Sequence, residues 1–157
     1  VGDTLLSFDT GMKVYEQTKL LQTPRHVLGF AGDSVMSDYL HAKLYDSWGS
    51  IDFDTLAQEA NEYALEKFGS CDKYDRIPEA DMLGATKDSV VLLCTSGSTH
   101  QLQGDFHAIG SGEKFAHGFW HARHRYTDPK VFAQAMVTAC SKVDLHVGGP
   151  ITFMEVL

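Results

Sequence analysis

The chain has 157 residues, 43% hydrophobic and 22% charged, proportions that suit one globular domain with a core of its own. The 13 Lys and Arg stand against 21 Asp and Glu, and a net charge of −8 argues against a nucleic-acid grip or docking on an anionic membrane. No apolar run approaches the roughly 20 residues of a membrane span, and residues 1–20 carry no secretory-signal pattern, so a cytoplasmic location is expected.

Residues 1–10 carry Gly2, Asp3, Ser7, Asp9 and Thr10 and read as a loop after a strand end. Val1 is not a methionine, and a strand end at this point predicts a hairpin partner ahead of it. Met12 to Leu21 has the β-branched and aromatic character of one or two short strands, which Pro24 breaks. His26 to Ala31 predicts a short apolar strand closed by Gly32. Asp33 or Ser34 then caps a helix whose Val35, Tyr39, Leu40, Leu44 and Trp48 fall at helical spacing, and Gly49 ends it. A second helix is expected from about Asp54 to Phe68, closed by Gly69.

Residues 70–87 are polar, contain Pro78 and read as a long connection. Ser89 to Thr95 predicts a buried strand, Gly97-Ser98 a turn, and His100 to Gln103 and Phe106 to Ile109 two further strands. A helix is expected from Glu113 to about Arg125. Another starts at an Asp128 cap with Pro129 in its first turn and runs to about Lys142. Ile151 to Leu157 is the last predicted strand. Helices in pairs, rather than alternating singly with strands, point to an α+β layered sandwich and away from a doubly wound parallel sheet.

The motif richest in chemistry is Gly110-Ser111-Gly112, which offers backbone N–H groups and a hydroxyl where a helix begins. Around it stand Gly2-Asp3, Gly29-Phe30-Ala31-Gly32, and Asp144 followed by Gly148-Gly149. Read residue by residue, each has an ordinary structural role as well. Asp3 is a turn aspartate bonding its own backbone, Lys19 a solvated strand lysine, Ser111 a helix cap and Asp144 a residue after a helix end. Cys71, Cys94 and Cys140 lack paired spacing and read as buried free thiols. His117, His121 and His124 share one helical face, where either zinc binding or a subunit contact uses them. No nucleotide-binding GxxxxGK[ST] pattern occurs, and no metal or cofactor is expected.

In order and spacing, these glycine turns and helix pairs resemble the β-type proteasome subunits and HslV-like peptidases over nearly the whole chain. Those are N-terminal-nucleophile hydrolases with a four-layer αββα sandwich of two stacked, mainly antiparallel sheets between helix pairs. The resemblance implies a single such domain over residues 1–157, lacking its first strand. It also implies a nucleophilic N-terminal threonine, about fourteen residues ahead of Val1, whose own α-amine of pKa about 8 serves as base. Asp3 and Lys19 match the aspartate and lysine of that site, with Thr18 the alternative if the strand aligns one residue off. Gly32 matches the oxyanion-binding amide, and Ser111 and Asp144 match the groups that order the nucleophile. Val147 stands where the family usually has a serine or threonine. Leu6, Gln17, Leu21 and Phe30 match the walls of the pocket for the substrate side chain ahead of the cut.

The implied function is hydrolysis of unfolded polypeptides inside stacked homo-oligomeric rings of twelve or fourteen subunits, fed by an ATP-driven unfoldase of the AAA+ type. A catalytically inactive ring subunit and a non-peptidase amidase are the alternatives the same fold supports.

Overall fold

Buried Leu28 and Phe30, two residues apart on one strand, are the centre around which the larger sheet is built. The structure, a computed structural model, describes residues 5–7, 13–15, 19–46, 52–69, 77–123, 128–148, 151, 152, 154 and 155, without the side chains of 5–7, 13–15, 46 and 123. In chain order the elements are β1 (Leu5–Ser7), β2 (Lys13–Tyr15), β3 (Leu20–Gln22), β4 (Val27–Gly32), α1 (Ser34–Asp46) and α2 (Phe53–Phe68). There follow β5 (Ala80–Ala85), β6 (Val90–Cys94), β7 (Ser98–Leu102), α3 (Glu113–Arg123) and α4 (Pro129–Cys140). The chain divides into two compact units, residues 1–20 with 104–155 and residues 21–103 with 156–157.

The second unit carries the five-stranded sheet, ordered β3-β4-β5-β6-β7. β4, β5 and β6 pair antiparallel, with Phe30 opposite Met82 and Met82 opposite Leu93. Side chains alternate across a strand, so Leu28 and Phe30 of β4 and Ala80 and Met82 of β5 enter one core. Met36, Leu40 and Leu44 of α1 and Leu56, Ala57, Ala60 and Ala64 of α2 complete it. The three alanines keep one face of α2 thin, which lets the helix lie close. Tyr39 stacks on Tyr63 with ring centroids 4.2 Å apart and so joins α1 to α2.

Caps fix where the second helix starts and stops. The Asp52 carboxylate accepts the N–H groups of Asp54 and Thr55 at 3.1 and 3.2 Å, and Gly69 N–H closes on the Leu65 carbonyl at 3.0 Å. Thr95 ties the far end of the sheet together: its hydroxyl accepts the Ala80 N–H at 2.8 Å while its own N–H donates to the Ala80 carbonyl at 3.0 Å.

In the first unit β1 and β2 pair antiparallel, with Leu6 opposite Val14. Ala116 of α3 and Phe132, Met136 and Cys140 of α4 form a separate core, closed by Phe106, Ala108, Phe119, Trp120 and Val147. Phe106 stacks on Trp120 with centroids 5.1 Å apart. Asp128 caps α4 through the Lys130 N–H at 2.8 Å, and Pro129 occupies the first turn, where its missing N–H costs nothing.

The structure differs from the sequence expectation in four places. The stretch 70–87 is not one loop, because β5 occupies 80–85; Asp81 and Gly84 hide its alternation, and the glycine is there because the Phe53 ring fills the space a Cβ would take, 2.5 Å away. Residues 1–10 are not all loop, because β1 pairs with β2 between turn-forming neighbours. Phe106 to Ile109 forms no strand; Phe106 and Ala108 pack into the helical core instead. Of the last predicted strand, the described residues keep only an isolated bridge at Thr152. Val1, Gly2, Cys71, Gly149 and Pro150 lie outside the described residues. No described helix is long and apolar enough to cross a membrane.

Candidate functional site

Within the first unit, the Gly110-Ser111-Gly112 turn and the turn bearing Asp144 lie against each other. Gly110 has φ +94°, a conformation that side chains with a Cβ resist, and its carbonyl accepts the Glu113 N–H at 3.0 Å as α3 begins. Gly112 is a glycine for a second reason: an added Cβ would stand 2.9 Å from a Val147 methyl and 3.6 Å from the Cys140 Cβ. These two residues flank Asp144, so their contact with Gly112 brings Ser111 and Asp144, distant in sequence, onto adjoining turns.

Ser111 is exposed, and among the described residues its hydroxyl has no hydrogen-bond partner. Asp144 is half-buried and already ordered, with one carboxylate oxygen accepting the His146 N–H at 2.8 Å. The Asp144 N–H donates to the Cys140 carbonyl at 2.9 Å, and the Asp144 carbonyl accepts the Val147 N–H at 3.2 Å. An exposed hydroxyl and a carboxylate held by its own turn are both groups able to order a cationic or hydroxylated partner. The Cys140 thiol beneath them is pushed up in pKa, first by burial and then by the Asp144 charge.

Ahead of this turn, His107 has a buried Nε2 with no hydrogen-bond partner among the described residues. His117 sets its ring edge-on to Phe106, 5.1 Å between centroids. His121 is exposed, and His124 lies outside the described residues. Among the described residues no group of three or more His, Cys, Asp or Glu is arranged to hold a metal.

In the second unit, Gly32 ends β4 with φ +118°, and a Cβ there would stand 2.6 Å from both the Ala80 Cα and the Glu79 carbonyl oxygen. Asp33 clamps this corner: its N–H donates to the Glu79 carbonyl at 2.8 Å and its carboxylate accepts the Glu79 N–H at 2.9 Å. Because Asp33 bonds to Glu79 and antiparallel pairs alternate, the Gly32–Ala80 pair is the non-bonded kind. The Gly32 N–H therefore points away from β5, held in direction by a backbone conformation that larger residues rarely adopt.

The remaining site residues are placed as follows. Lys19 is half-buried just before β3, and Leu21 of β3 is half-buried against the sheet-and-helix core. Phe30 is 4% exposed, its ring 4.2 Å from that of His41, on the strand face opposite Gly29 and Ala31. Leu6 lies in β1, its side chain undescribed. Asp3, Gln17 and Thr18 lie outside the described residues. Sequence reasoning missed the roles of Cys140 and Thr95, which hold these turns; burial was expected of both, and nothing local marked their hydrogen bonds.

No protein-family profile and no curated protein matches the chain. Solved structures do. The chain is similar in fold to eukaryotic HslV from Trypanosoma brucei, at 22% identity and TM-score 0.65 over 94% of this chain and 86% of that one. It is likewise similar to BPH of Thiobacillus denitrificans, at 20% identity and TM-score 0.70 over 95% and 86% of the two chains. BPH in complex with epoxomicin aligns at 19% identity and TM-score 0.64 over the same shares. Its structural neighbours are thus HslV-type peptidases and BPH, and its α+β architecture is consistent with their fold.

Proposed function

We propose that the chain is a subunit of a self-compartmentalising threonine-type endopeptidase of the HslV and proteasome β kind, cytoplasmic and built into homo-oligomeric rings of twelve or fourteen subunits. In this reading residues 1–157 are one N-terminal-nucleophile hydrolase domain with the four-layer sandwich. What carries the reading is the fold likeness across 94% of the chain, together with the meeting of the Ser111 and Asp144 turns through Gly112.

The nucleophile would be a threonine ahead of Val1. Its hydroxyl oxygen attacks the scissile carbonyl carbon, and the hydroxyl proton passes to the threonine's own α-amine. The Lys19 ammonium, held by the Asp3 carboxylate, favours the neutral amine and the ionised oxygen. The Gly32 N–H donates to the oxyanion, and Ser111 and Asp144 order the α-amine. The departing amine takes the proton as the carbon–nitrogen bond breaks, leaving an acyl ester that water hydrolyses. Leu6, Gln17, Leu21 and Phe30 would wall the pocket, so a hydrophobic residue before the cut is favoured. An AAA+ unfoldase ring would deliver unfolded polypeptide.

The test uses the full-length gene product. Epoxomicin, the compound bound in one neighbour's complex, is expected to add one inhibitor mass per subunit, and N-terminal Thr→Ala to abolish the adduct. Gel filtration is expected to show a ring-sized species. No adduct on an intact N-terminal threonine would refute the peptidase and leave the inactive ring subunit. A single small oligomer that does react would point to the amidase.

A further inference from the structure

Cys140 touches both turns of the proposed site, and it does so with different atoms. Its sulfur lies 3.8 Å from the Gly112 carbonyl oxygen, to which the thiol donates, and its Cβ would stand 3.6 Å from a Cβ added at Gly112. Its own carbonyl accepts two N–H groups at once, from Asp144 at 2.9 Å and from Val143 at 3.0 Å. The residue is 4% exposed and closes the end of α4.

Resting on the reading above, we propose that Cys140 is a positioning residue that sets the separation of Ser111 from Asp144. The side chain grips the Ser111 turn and the main chain grips the Asp144 turn, so truncating that side chain loosens the end of α4 together with the Ser111 turn. Val147 supports the same contact with a methyl group, where the resembled family usually carries a hydroxyl. In this chain the two turns are therefore registered by a thiol and by packing. Burial raises the thiol's pKa, which keeps it protonated and able to donate near neutral pH.

The experiment compares wild type, Cys140→Ala, Cys140→Ser and Val147→Ala in the full-length protein, by residue-resolved amide hydrogen exchange and by the rate of epoxomicin acylation. In Cys140→Ala the Glu113 and Asp144 amides are expected to exchange about tenfold faster, with the Thr95 amide of the sheet unchanged. Cys140→Ser, which keeps a donor at that place, is expected to restore both to within about threefold. Acylation in Cys140→Ala is expected to slow about tenfold at saturation with the half-saturating epoxomicin concentration unchanged, and Cys140→Ser to recover it.

Val147→Ala, the milder cavity, is expected to quicken the Glu113 amide and spare that of Asp144. Unchanged exchange at either turn in Cys140→Ala, loss of protection in the sheet as well, or loosening of both turns in Val147→Ala would overturn the assignment. If wild type takes up no epoxomicin, the peptidase reading fails by itself while the exchange measurements still decide the role of Cys140.

Discussion

Replacing Gly32 by alanine tests how the β4–α1 corner holds its shape. An alanine Cβ would stand 2.6 Å from the Ala80 Cα and the Glu79 oxygen, where ordinary contact begins at 3.4 Å. Both obstacles are backbone, and the two Asp33–Glu79 hydrogen bonds resist separation of the strands. Opening the corner by about 0.8 Å weakens one or both bonds at about 1 kcal/mol each, added to about 1–3 kcal/mol for an alanine at positive φ. The expected loss is about 2–5 kcal/mol, which at a urea slope of about 2 kcal/mol/M moves the midpoint down by about 1–2.5 M.

Gly104→Ala is the matched control, since Gly104 has φ +105° with nothing within 4 Å of an added Cβ. It isolates the conformational cost, about 1–3 kcal/mol or a midpoint shift of about 0.5–1.5 M. Equilibrium urea unfolding followed by tryptophan fluorescence and far-UV circular dichroism measures both. Equal shifts for the two variants would refute the reasoning, because crowding at Ala80 and Glu79 would then contribute nothing. In the proposed peptidase, Gly32→Ala also turns the amide that faces the oxyanion and is expected to slow epoxomicin acylation.

Two further outcomes follow from hydrogen bonds and charge. Thr95→Val keeps the shape of a 2% exposed side chain but leaves the Ala80 N–H without its acceptor. It is expected to cost about 1–3 kcal/mol, at about 2–4 °C per kcal/mol in thermal unfolding, while Thr95→Ser costs less; equal losses in both would refute the hydrogen-bond account. His26 is held below its usual pKa, first by burial and then by the Arg25 charge. Its depressed folded value means that the unfolded chain takes up the proton first. The stability it contributes is complete above about pH 6.5 and is lost as the pH falls through the folded value. The urea midpoint is expected to fall between about pH 7.5 and 5, and His26→Phe to lessen that fall; an undiminished fall in the variant would count against the assignment.

The helices were legible where a carboxylate stood before an apolar period. Asp128-Pro129 marks α4, and Asp52 marks the start of α2 two residues before the aspartate from which the periodic pattern was read. β5 was not legible, because a strand whose inward positions are alanine, methionine and glycine shows no apolar alternation until the Phe53 ring that fills its gap is known. Phe106 and Ala108 have strand-like residues, yet their partners are the aromatic rings of α3 and α4, and pairing is a tertiary fact that local pattern does not contain.

The same division holds for the site. Gly32 and the Gly110-Ser111-Gly112 turn announce themselves as punctuation after apolar runs. That Ser111 and Asp144 come onto adjoining turns depends on Cys140 and Val147, whose side chains carry no mark of it in the chain. Burial of Cys140 followed from its residue type, and its hydrogen bond to Gly112 did not.

The ring of Phe53 lodged over Gly84 has a consequence for how this molecule can diverge. Neither position is free to drift alone: a methyl at 84 collides with the aromatic, and a smaller side chain at 53 opens a void above the glycine. Related chains with alanine at 84 should therefore carry a slimmer residue at 53, and grafting one substitution without its companion should fail where the pair succeeds.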